Sequence, residues 1–351
     1  MTTPQKASLS KLNAKKIWLP ILIGMAIVFL LIANDPRLSA EKLGLIFEAR
    51  RGPVALAFLM LLIRDVSYVY RIRTISSKEL SWKSSIYVIL LWEFSSAVTP
   101  SVVGGTAIAI FIIFKEGINP GKSMAYAMIT AVLDNCFFVF AVPIAYAFMG
   151  SDIIPSISSE ILGSQVSLMT IFGISYTLII FYTMLMVIAI LLKPRVLKRF
   201  LITITKPKFL RRWRKGAYAR GEEIIETSAQ LKGKSAGYWI RIVLATIVIW
   251  SSRYAVLNFI VASYVDISMM DHLQVFGNHL SLWITMLLSP TPGSSGTAEY
   301  FFTEFFWTFL QDFTLATALF WRFITYYPYL ILGALILPSW LRRVFKSKKE
   351  E

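Results

Sequence analysis

The sequence has one cysteine among its 351 residues, Cys136, and two histidines, His272 and His279. A single cysteine excludes an intrachain disulfide framework and a thiolate metal centre within one chain. The two histidines have no carboxylate placed to complete a metal site, so we interpret them as interfacial hydrogen-bonding residues. The sequence also lacks a Walker motif, an Asp-rich prenyl-transfer pattern, GxSxG and HExxH. It therefore predicts no cofactor, no metal and no catalytic residue.

Long polar stretches are also missing, because the longest one, residues 193–237, is shorter than the ~50 residues of a small domain. Instead, the chain is 56% apolar and has a positive mean hydropathy. Six apolar runs each reach roughly 25 Å or more as helix, close to a ~30 Å hydrocarbon core. They are Ile17 to Ala33, Pro53 to Tyr70, Met124 to Met149, Leu168 to Leu192, Tyr238 to Ala262, and Leu315 to Leu337. The sequence predicts an all-α polytopic membrane protein with a retained first span, and one integral membrane domain over residues 1–351.

Two similar glycine-rich stretches interrupt the apolar sequence, TPSVVGGTA at 99–107 and TPGSSGTAE at 291–299. Their flanking arms of about 9 to 15 residues would reach only roughly 14 to 22 Å as helix, too little to cross a bilayer. They predict two re-entrant helical hairpins, over 84–114 and 274–310, in addition to about six full transmembrane helices. Similar hairpins that enter from opposite faces are typical of an inverted repeat with a substrate site at the midplane. A chance likeness between two turns, with eight full crossings, is the alternative.

The net charge of +16 is explained by membrane topology, so no nucleic-acid partner is predicted. The loops at 150–167 and 263–273 contain no lysine or arginine. The basic segments are therefore assigned to the cytoplasmic side, with both termini, and the chain to a prokaryotic inner membrane. These segments are the N-terminus 1–16, the loop 193–237 and the tail 338–351. The loop at 34–52, with four basic residues, fits this topology less well.

Within the basic loop, the stretch from Arg211 to Lys234 mixes basic residues with apolar ones, namely Trp213, Tyr218, Ile224, Ile225 and Leu231. This composition is typical of an amphipathic helix on the membrane surface, where anionic lipid would be its partner. Simple topology signalling explains the same charges.

Ionisable residues inside apolar segments are expensive in a membrane, so each is a functional candidate, with paired struts in helix packing as the alternative. The start of the second helix of hairpin 84–114 has no acid, and its free N–H groups predict an anion site suited to phosphate. In the second hairpin, Glu299 would cap its helix and face a cationic or hydroxyl-bearing end, while Arg322 would orient Glu299 or hold the phosphate. The predicted substrate-binding residues are Glu93, Gly104, Gly105, Thr106, Asp134, Arg253, Pro292, Gly293, Gly296, Glu299 and Arg322.

Two segments carry a family resemblance. SPTPGSSGTAEYFFTEFF, at 289–306, resembles the Pro-Gly-x-x-Gly-x-x-Glu signature of the family named for the transmembrane region of lysylphosphatidylglycerol synthase, also called flippase-like integral membrane proteins. In that family an arginine follows, here Arg322. The segment that begins TPSVVGGTA is similar to the family's Pro-x-x-x-Gly-Gly segment and its later acidic position, here Asp134. Ser294 departs from the second glycine that many members have.

The resemblance implies movement of a lipid or its headgroup across the bilayer. The best-known members carry this region fused to a soluble aminoacyl transferase that makes aminoacyl-phosphatidylglycerol, and no such domain is predicted within these 351 residues. The expected partner is a membrane lipid, with a phosphate in its headgroup. A membrane-embedded lipid-modifying transferase and an accessory subunit of lipid or cell-envelope biosynthesis are the alternatives. A homo-oligomer stays open.

Overall fold

The computed structural model describes residues 44–99, 101–156, 158–161, 164–287 and 297–346. Twelve α-helices and one short β-hairpin follow along these ranges. The helices are α1 Arg51–Ile75, α2 Trp82–Val98, α3 Ser101–Lys115, α4 Pro120–Met149, α5 Leu168–Val187, α6 Pro194–Ile204, α7 Arg214–Lys232, α8 Ala236–Tyr264, α9 Met269–Met286, α10 Thr297–Leu310, α11 Thr314–Thr325 and α12 Tyr327–Lys346. The strands β1 Ser158–Ile161 and β2 Ser164–Ser167 pair antiparallel between α4 and α5.

Five stretches within the described ranges are long and apolar enough to cross a membrane. They are Arg51–Ile75, Pro120–Ile153, Leu168–Leu192, Ala236–Tyr264 and Tyr300–Val344. They contain five of the six predicted runs, while the first, 17–33, lies outside the described residues, as do 1–16 and 347–351. The prediction of a multi-pass helical membrane protein is therefore confirmed, with the β-hairpin as an addition.

The last predicted run, Leu315 to Leu337, is not one helix. It is divided at Tyr326 into α11 and α12. Pro328, in the first turn of α12, explains the break, because proline has no N–H to donate to the carbonyl of Ile324 and its ring would clash there. The two shorter helices pack against each other.

The helices α1 and α8 make the most extensive helix–helix contact among the described residues, and they run antiparallel. The start of α1 is fastened to the end of α8, because the Arg50 amide donates to the Ser263 carbonyl at 2.9 Å and its guanidinium donates to the Val265 carbonyl at 2.9 Å. Around this pair lie two helical hairpins, which we name hairpin 1 (α2 and α3) and hairpin 2 (α9 and α10). Hairpin 1 packs against α4 and α12, while hairpin 2 packs against α4, α8 and α11.

Aromatic side chains fill the centre, where α4, α8 and α9 meet. Phe138 is stacked on Trp283, with ring centroids 3.8 Å apart and planes 6° from parallel. The edge of Trp250 packs against the same phenylalanine at 4.6 Å. Phe138 is fully buried. Offset and edge contacts of this kind stabilise a core beyond simple area burial.

The predicted surface helix within 211–234 corresponds to α7, and the apolar residues of this stretch divide between the protein interior and the surface, where Trp213 and Tyr218 are exposed. Ile224 and Leu231 are buried, because α7 packs against both α4 and α6. Lys198 of α6 donates to Glu222 of α7, and this hydrogen bond raises the pKa of Lys198. Ile224 and Leu231 therefore do not face lipid, while the predicted contact of this loop with anionic lipid stays a prediction.

A carboxylate of α7 also caps α4. The amide of Gly121, in the first turn of α4, donates to Glu223 Oε2 at 2.5 Å. A negative charge is favourable at this end of a helix, where backbone N–H groups are free. A Cβ atom at position 121 would overlap the Glu223 side chain and approach the Arg220 carbonyl oxygen at 3.0 Å. Only glycine allows this close contact.

We therefore expect Gly121→Ala to lower the free energy of unfolding by about 1–3 kcal/mol, the usual range for overpacking. Gly216→Ala on α7 is the matched control, since no atom lies within 4 Å of its added Cβ. Alanine in a helix interior is favoured over glycine, so the control should melt at the wild-type temperature or above. The measurement is the thermal unfolding midpoint in detergent. Equal midpoints for both variants would contradict the packing argument.

Candidate functional site

Both hairpins line one central cavity of about 230 Å³. Its walls come from α2, α8, α9, α11 and α12, including the break between the last two. The lining residues are Glu93, Ser96, Ala97, Arg253, Tyr254, His279, Leu282, Trp283, Met286, Trp321, Arg322, Thr325, Tyr326 and Tyr329. The structure thus brings together three of the predicted site residues, Glu93, Arg253 and Arg322, from three different helices.

The cavity contains one carboxylate and two guanidinium groups. Arg253 Nη1 lies 3.7 Å from Glu93 Oε1, and a third of the Arg253 side chain is exposed. Arg322 is nearly buried, with its guanidinium 5.0 Å from the centre of the Tyr326 ring. The described lining therefore has a net positive charge. Guanidinium groups present paired donors that match phosphate and carboxylate oxygens.

A network of buried ion pairs lies next to the cavity and holds Glu93 in its wall. Arg64 is 1% exposed and forms an ion pair with Glu93, and its Nη1 lies 3.4 Å from Asp65 Oδ1. It also donates to the Tyr329 hydroxyl at 2.7 Å, and that hydroxyl donates to Asp65 at 2.7 Å. Buried charges are tolerated only when they are paired and hydrogen-bonded in this way. The network fixes Glu93 between Arg64 and Arg253.

Asp134, a predicted binding residue, does not line the cavity. Its carboxylate accepts from Arg71 at 2.6 and 3.1 Å, a two-pronged ion pair, and from Trp250 Nε1 at 2.8 Å. Arg71 also donates to Thr246 Oγ1 at 2.9 Å. These contacts join α1, α4 and α8. They favour the alternative role for Asp134, in which a pair of opposite charges holds neighbouring helices together.

The helix start in hairpin 1 differs from the predicted one. Because α3 begins at Ser101, the four N–H groups without an intrahelical partner are those of residues 101–104. Gly104 therefore stays within this first turn, whereas Gly105 and Thr106 fall outside it. Their N–H groups are not free for the predicted phosphate. Gly105 instead allows close packing, since a Cβ atom there would overlap Ser96, which lines the cavity.

The turn of hairpin 2 lies mostly outside the described residues. This applies to Pro292, Gly293 and Gly296. Glu299 lies in the first turn of α10, where a helix cap was expected, but its side chain is outside the description. Its predicted contact with Arg322 stays a prediction.

Sequence reasoning missed most of the uncharged lining. His279 is 5% exposed and packs edge-on against Tyr254, with ring centroids 4.3 Å apart, and against Trp321 at 5.4 Å. It belongs to the cavity wall, whereas His272 Nδ1 lies 3.2 Å from Asn258 Oδ1, in keeping with the predicted hydrogen-bonding role. The helical spacing of seven places both histidines on one face of α9. That spacing was the sequence signal for the two histidines. It does not reveal which of them lies at the end of α9 that reaches the cavity.

The described lining contains guanidinium groups, whose chemistry matches an anionic group. In the described part of the chain, no cluster of three histidine, cysteine or acidic residues could hold a metal ion. The volume of the cavity, about 230 Å³, is smaller than the roughly 300–1,000 Å³ of pockets that bind drug-sized ligands. The cavity can therefore hold a small polar group, but not a long acyl chain.

Comparison with known proteins agrees with the membrane architecture. The sequence matches the family described as the lysylphosphatidylglycerol synthase TM region over residues 17–333. The chain is 24% identical over 296 residues to a UPF0104 membrane protein of Archaeoglobus fulgidus, covering 80% of this chain and 84% of the relative. No solved structure is a significant match. With nine-tenths of its length matched, this chain belongs to the family of lysylphosphatidylglycerol synthase transmembrane regions.

Proposed function

We propose that this protein is a flippase-like transporter that moves a phospholipid, or another polar-headed lipid, across the cytoplasmic membrane of a prokaryote. The observation that carries the proposal is the cavity that both hairpins line, whose described wall contains two guanidinium groups, Arg253 and Arg322, and one carboxylate, Glu93. In this proposal the protein moves the lipid without modifying it covalently. The headgroup occupies the cavity while the acyl chains stay in the bilayer.

The dimensions of the hairpins support re-entrant topology. Their second helices, α3 with 15 residues and α10 with 14, correspond to roughly 21–23 Å, which is less than a ~30 Å hydrocarbon core. The first helices, α2 with 17 residues and α9 with 18, are longer than the predicted arms and match the shortest predicted spans in length. Each hairpin lines the cavity with the last turns of its first helix, α2 from Glu93 to Ala97 and α9 from His279 to Met286. Equivalent ends that meet at one site are what an inverted repeat produces. In this topology both termini are cytoplasmic.

The lining chemistry supports a phosphate-containing headgroup. The two guanidinium groups would bind phosphate oxygens, and Glu93, held by Arg64, would keep Arg253 in position. The aromatic side chains of Trp283, Trp321 and Tyr326 supply apolar surface beside the charged groups, which lowers the local dielectric and strengthens the ionic contacts. Access would alternate as one repeat rocks against the other around this site.

The test is transbilayer movement of a panel of headgroup-labelled lipids in proteoliposomes. Wild type should move lipids with phosphate in the headgroup. Arg253→Gln removes one charged hydrogen bond, worth about 1.5–3 kcal/mol, and should slow movement by about 10- to 150-fold. Arg241→Gln, on the exposed face of the same helix, is the matched control and should transport at the wild-type rate.

Two outcomes would contradict the proposal. If folded wild-type protein moved no lipid of the panel, a transferase or an accessory subunit would become the better explanation. If Arg253→Gln transported as fast as Arg241→Gln, the headgroup would not bind in this cavity.

A further inference from the structure

The short helix α6 lies at the membrane edge and has two apolar faces. It begins at Pro194, directly after the candidate membrane span Leu168–Leu192 ends. One face carries Leu197, which is buried, and packs against α7. The other face is the unusual one, because it is apolar and faces away from the protein.

The outward face is a regular stripe, at positions i, i+4 and i+8 of one helix. Val196, Phe200 and Ile204 are 48%, 58% and 47% exposed. The loop that follows exposes Phe209 and Trp213. A stripe of this spacing forms a continuous surface along a helix. Large apolar side chains that are exposed together indicate a binding surface for a lipid or a protein.

The charges around the stripe favour lipid. No aspartate or glutamate occurs between Lys193 and Gly221, a stretch that is rich in lysine and arginine. Arg195 and Arg199 are exposed beside the stripe, whereas Lys198 points to the other side and pairs with Glu222. Basic side chains next to an inserted apolar face are typical of helices that lie in the interface of an anionic leaflet.

We propose that α6, with Phe209 and Trp213, is an interfacial helix that binds anionic lipids of the cytoplasmic leaflet. Val196, Phe200 and Ile204 insert among the acyl chains, and Arg195 and Arg199 pair with lipid phosphates. The continuity of α6 with a membrane span places it at the right depth for this contact. Each arginine contributes about fivefold to the lipid association constant. The site lies outside the central cavity and does not depend on the transport proposal.

The test is a single labelled cysteine in a Cys136→Ser background. Phe200→Cys and, as the matched control, Gln230→Cys on the exposed face of α7 are labelled with a polarity-sensitive fluorophore. The proteins are placed in nanodiscs of phosphatidylcholine, alone or mixed equally with phosphatidylglycerol, and quenched with neutral acrylamide. The label at position 200 should be blue-shifted and shielded, and more so with phosphatidylglycerol. The label at 230 should stay accessible in both.

Removing charge tests the anionic part. In the phosphatidylglycerol discs, the label at position 200 exchanges between an inserted, shielded state and an exposed state. Arg195→Gln and Arg199→Gln should each lower the equilibrium constant for the shielded state by about fivefold. Equal quenching of both labels would overturn the proposal, as would shielding that ignores phosphatidylglycerol and both arginines. Shielding that rises with protein concentration would also overturn it, because it would identify a second copy of the chain as the occupant. The unfolding midpoint of each variant confirms that the protein is folded.

Discussion

Arg64→Leu should lower the free energy of unfolding by about 3–5 kcal/mol, the cost of leaving buried charges without their partner. Arg64 is fully buried and contacts three groups, the carboxylates of Glu93 and Asp65 and the hydroxyl of Tyr329. Leucine fills part of the volume but supplies no charge. Glu93 then keeps the longer contact with Arg253 at 3.7 Å, and Asp65 keeps the hydrogen bond from the Tyr329 hydroxyl, but both lose their buried cation. The measurement is the denaturation midpoint of the purified protein in detergent.

The matched control is Arg51→Leu, at the exposed start of the same helix. Surface charges of this kind contribute little, so the control should unfold like wild type. Adding Glu93→Gln to Arg64→Leu should recover part of the loss, since one unpaired charge is then removed. If Arg64→Leu and Arg51→Leu had the same denaturation midpoint, the ion network would make no net contribution to stability. The position of Glu93 in the cavity wall would then need another explanation.

Arg71→Leu should lower the free energy of unfolding by a similar amount, because it removes the two-pronged ion pair from Asp134 and leaves the carboxylate with the hydrogen bond from Trp250. We expect a loss of about 3–5 kcal/mol for the single variant. In Arg71→Leu with Asp134→Leu both charges are gone, so the double variant should be more stable than Arg71→Leu. With wild type and the single variant Asp134→Leu, these proteins form a double-mutant cycle, whose coupling term measures the free energy of the Arg71–Asp134 interaction.

The same cycle distinguishes a strut from a substrate site. The double variant, reconstituted in proteoliposomes, should move lipid at close to the wild-type rate if Asp134 only fastens α4 to α1 and α8. A folded double variant without transport would return Asp134 to the binding residues that the sequence predicted. In that case the pair would belong to the path of the headgroup.

Local pattern was sufficient for the spans and for some of the charged residues. Length and hydropathy located the four helices α1, α4, α5 and α8 because a bilayer imposes a fixed length on any apolar crossing. The cost of charge in lipid singled out Glu93, Arg253 and Arg322, which share one cavity. The same rule could not separate them from Asp134, because a paired strut and a binding residue are equally buried and equally charged.

Local pattern failed where two segments distant in the chain meet. Ile224 and Leu231 of α7 suggested lipid, but they are buried because α7 packs against α4 and α6, and the stripe on α6 was missed. A run of apolar residues at helical spacing predicts an apolar helix face. It does not indicate whether lipid or another helix covers that face. The start of α3 was misplaced for a related reason, since Gly105 is required by the approach of Ser96 rather than by a turn.

The sequence by itself therefore determined the membrane class, the family and the positions of most spans, because hydrophobic length and motif spacing are properties of consecutive residues. Only the tertiary structure decided that Glu93, Arg253 and Arg322 line one cavity, that Asp134 is held by Arg71, and that His279 lies in the cavity wall. The physical reason is that each of these facts depends on which helices pack together. Helix packing follows from the fit of whole surfaces, and no single stretch of sequence encodes both surfaces of a contact.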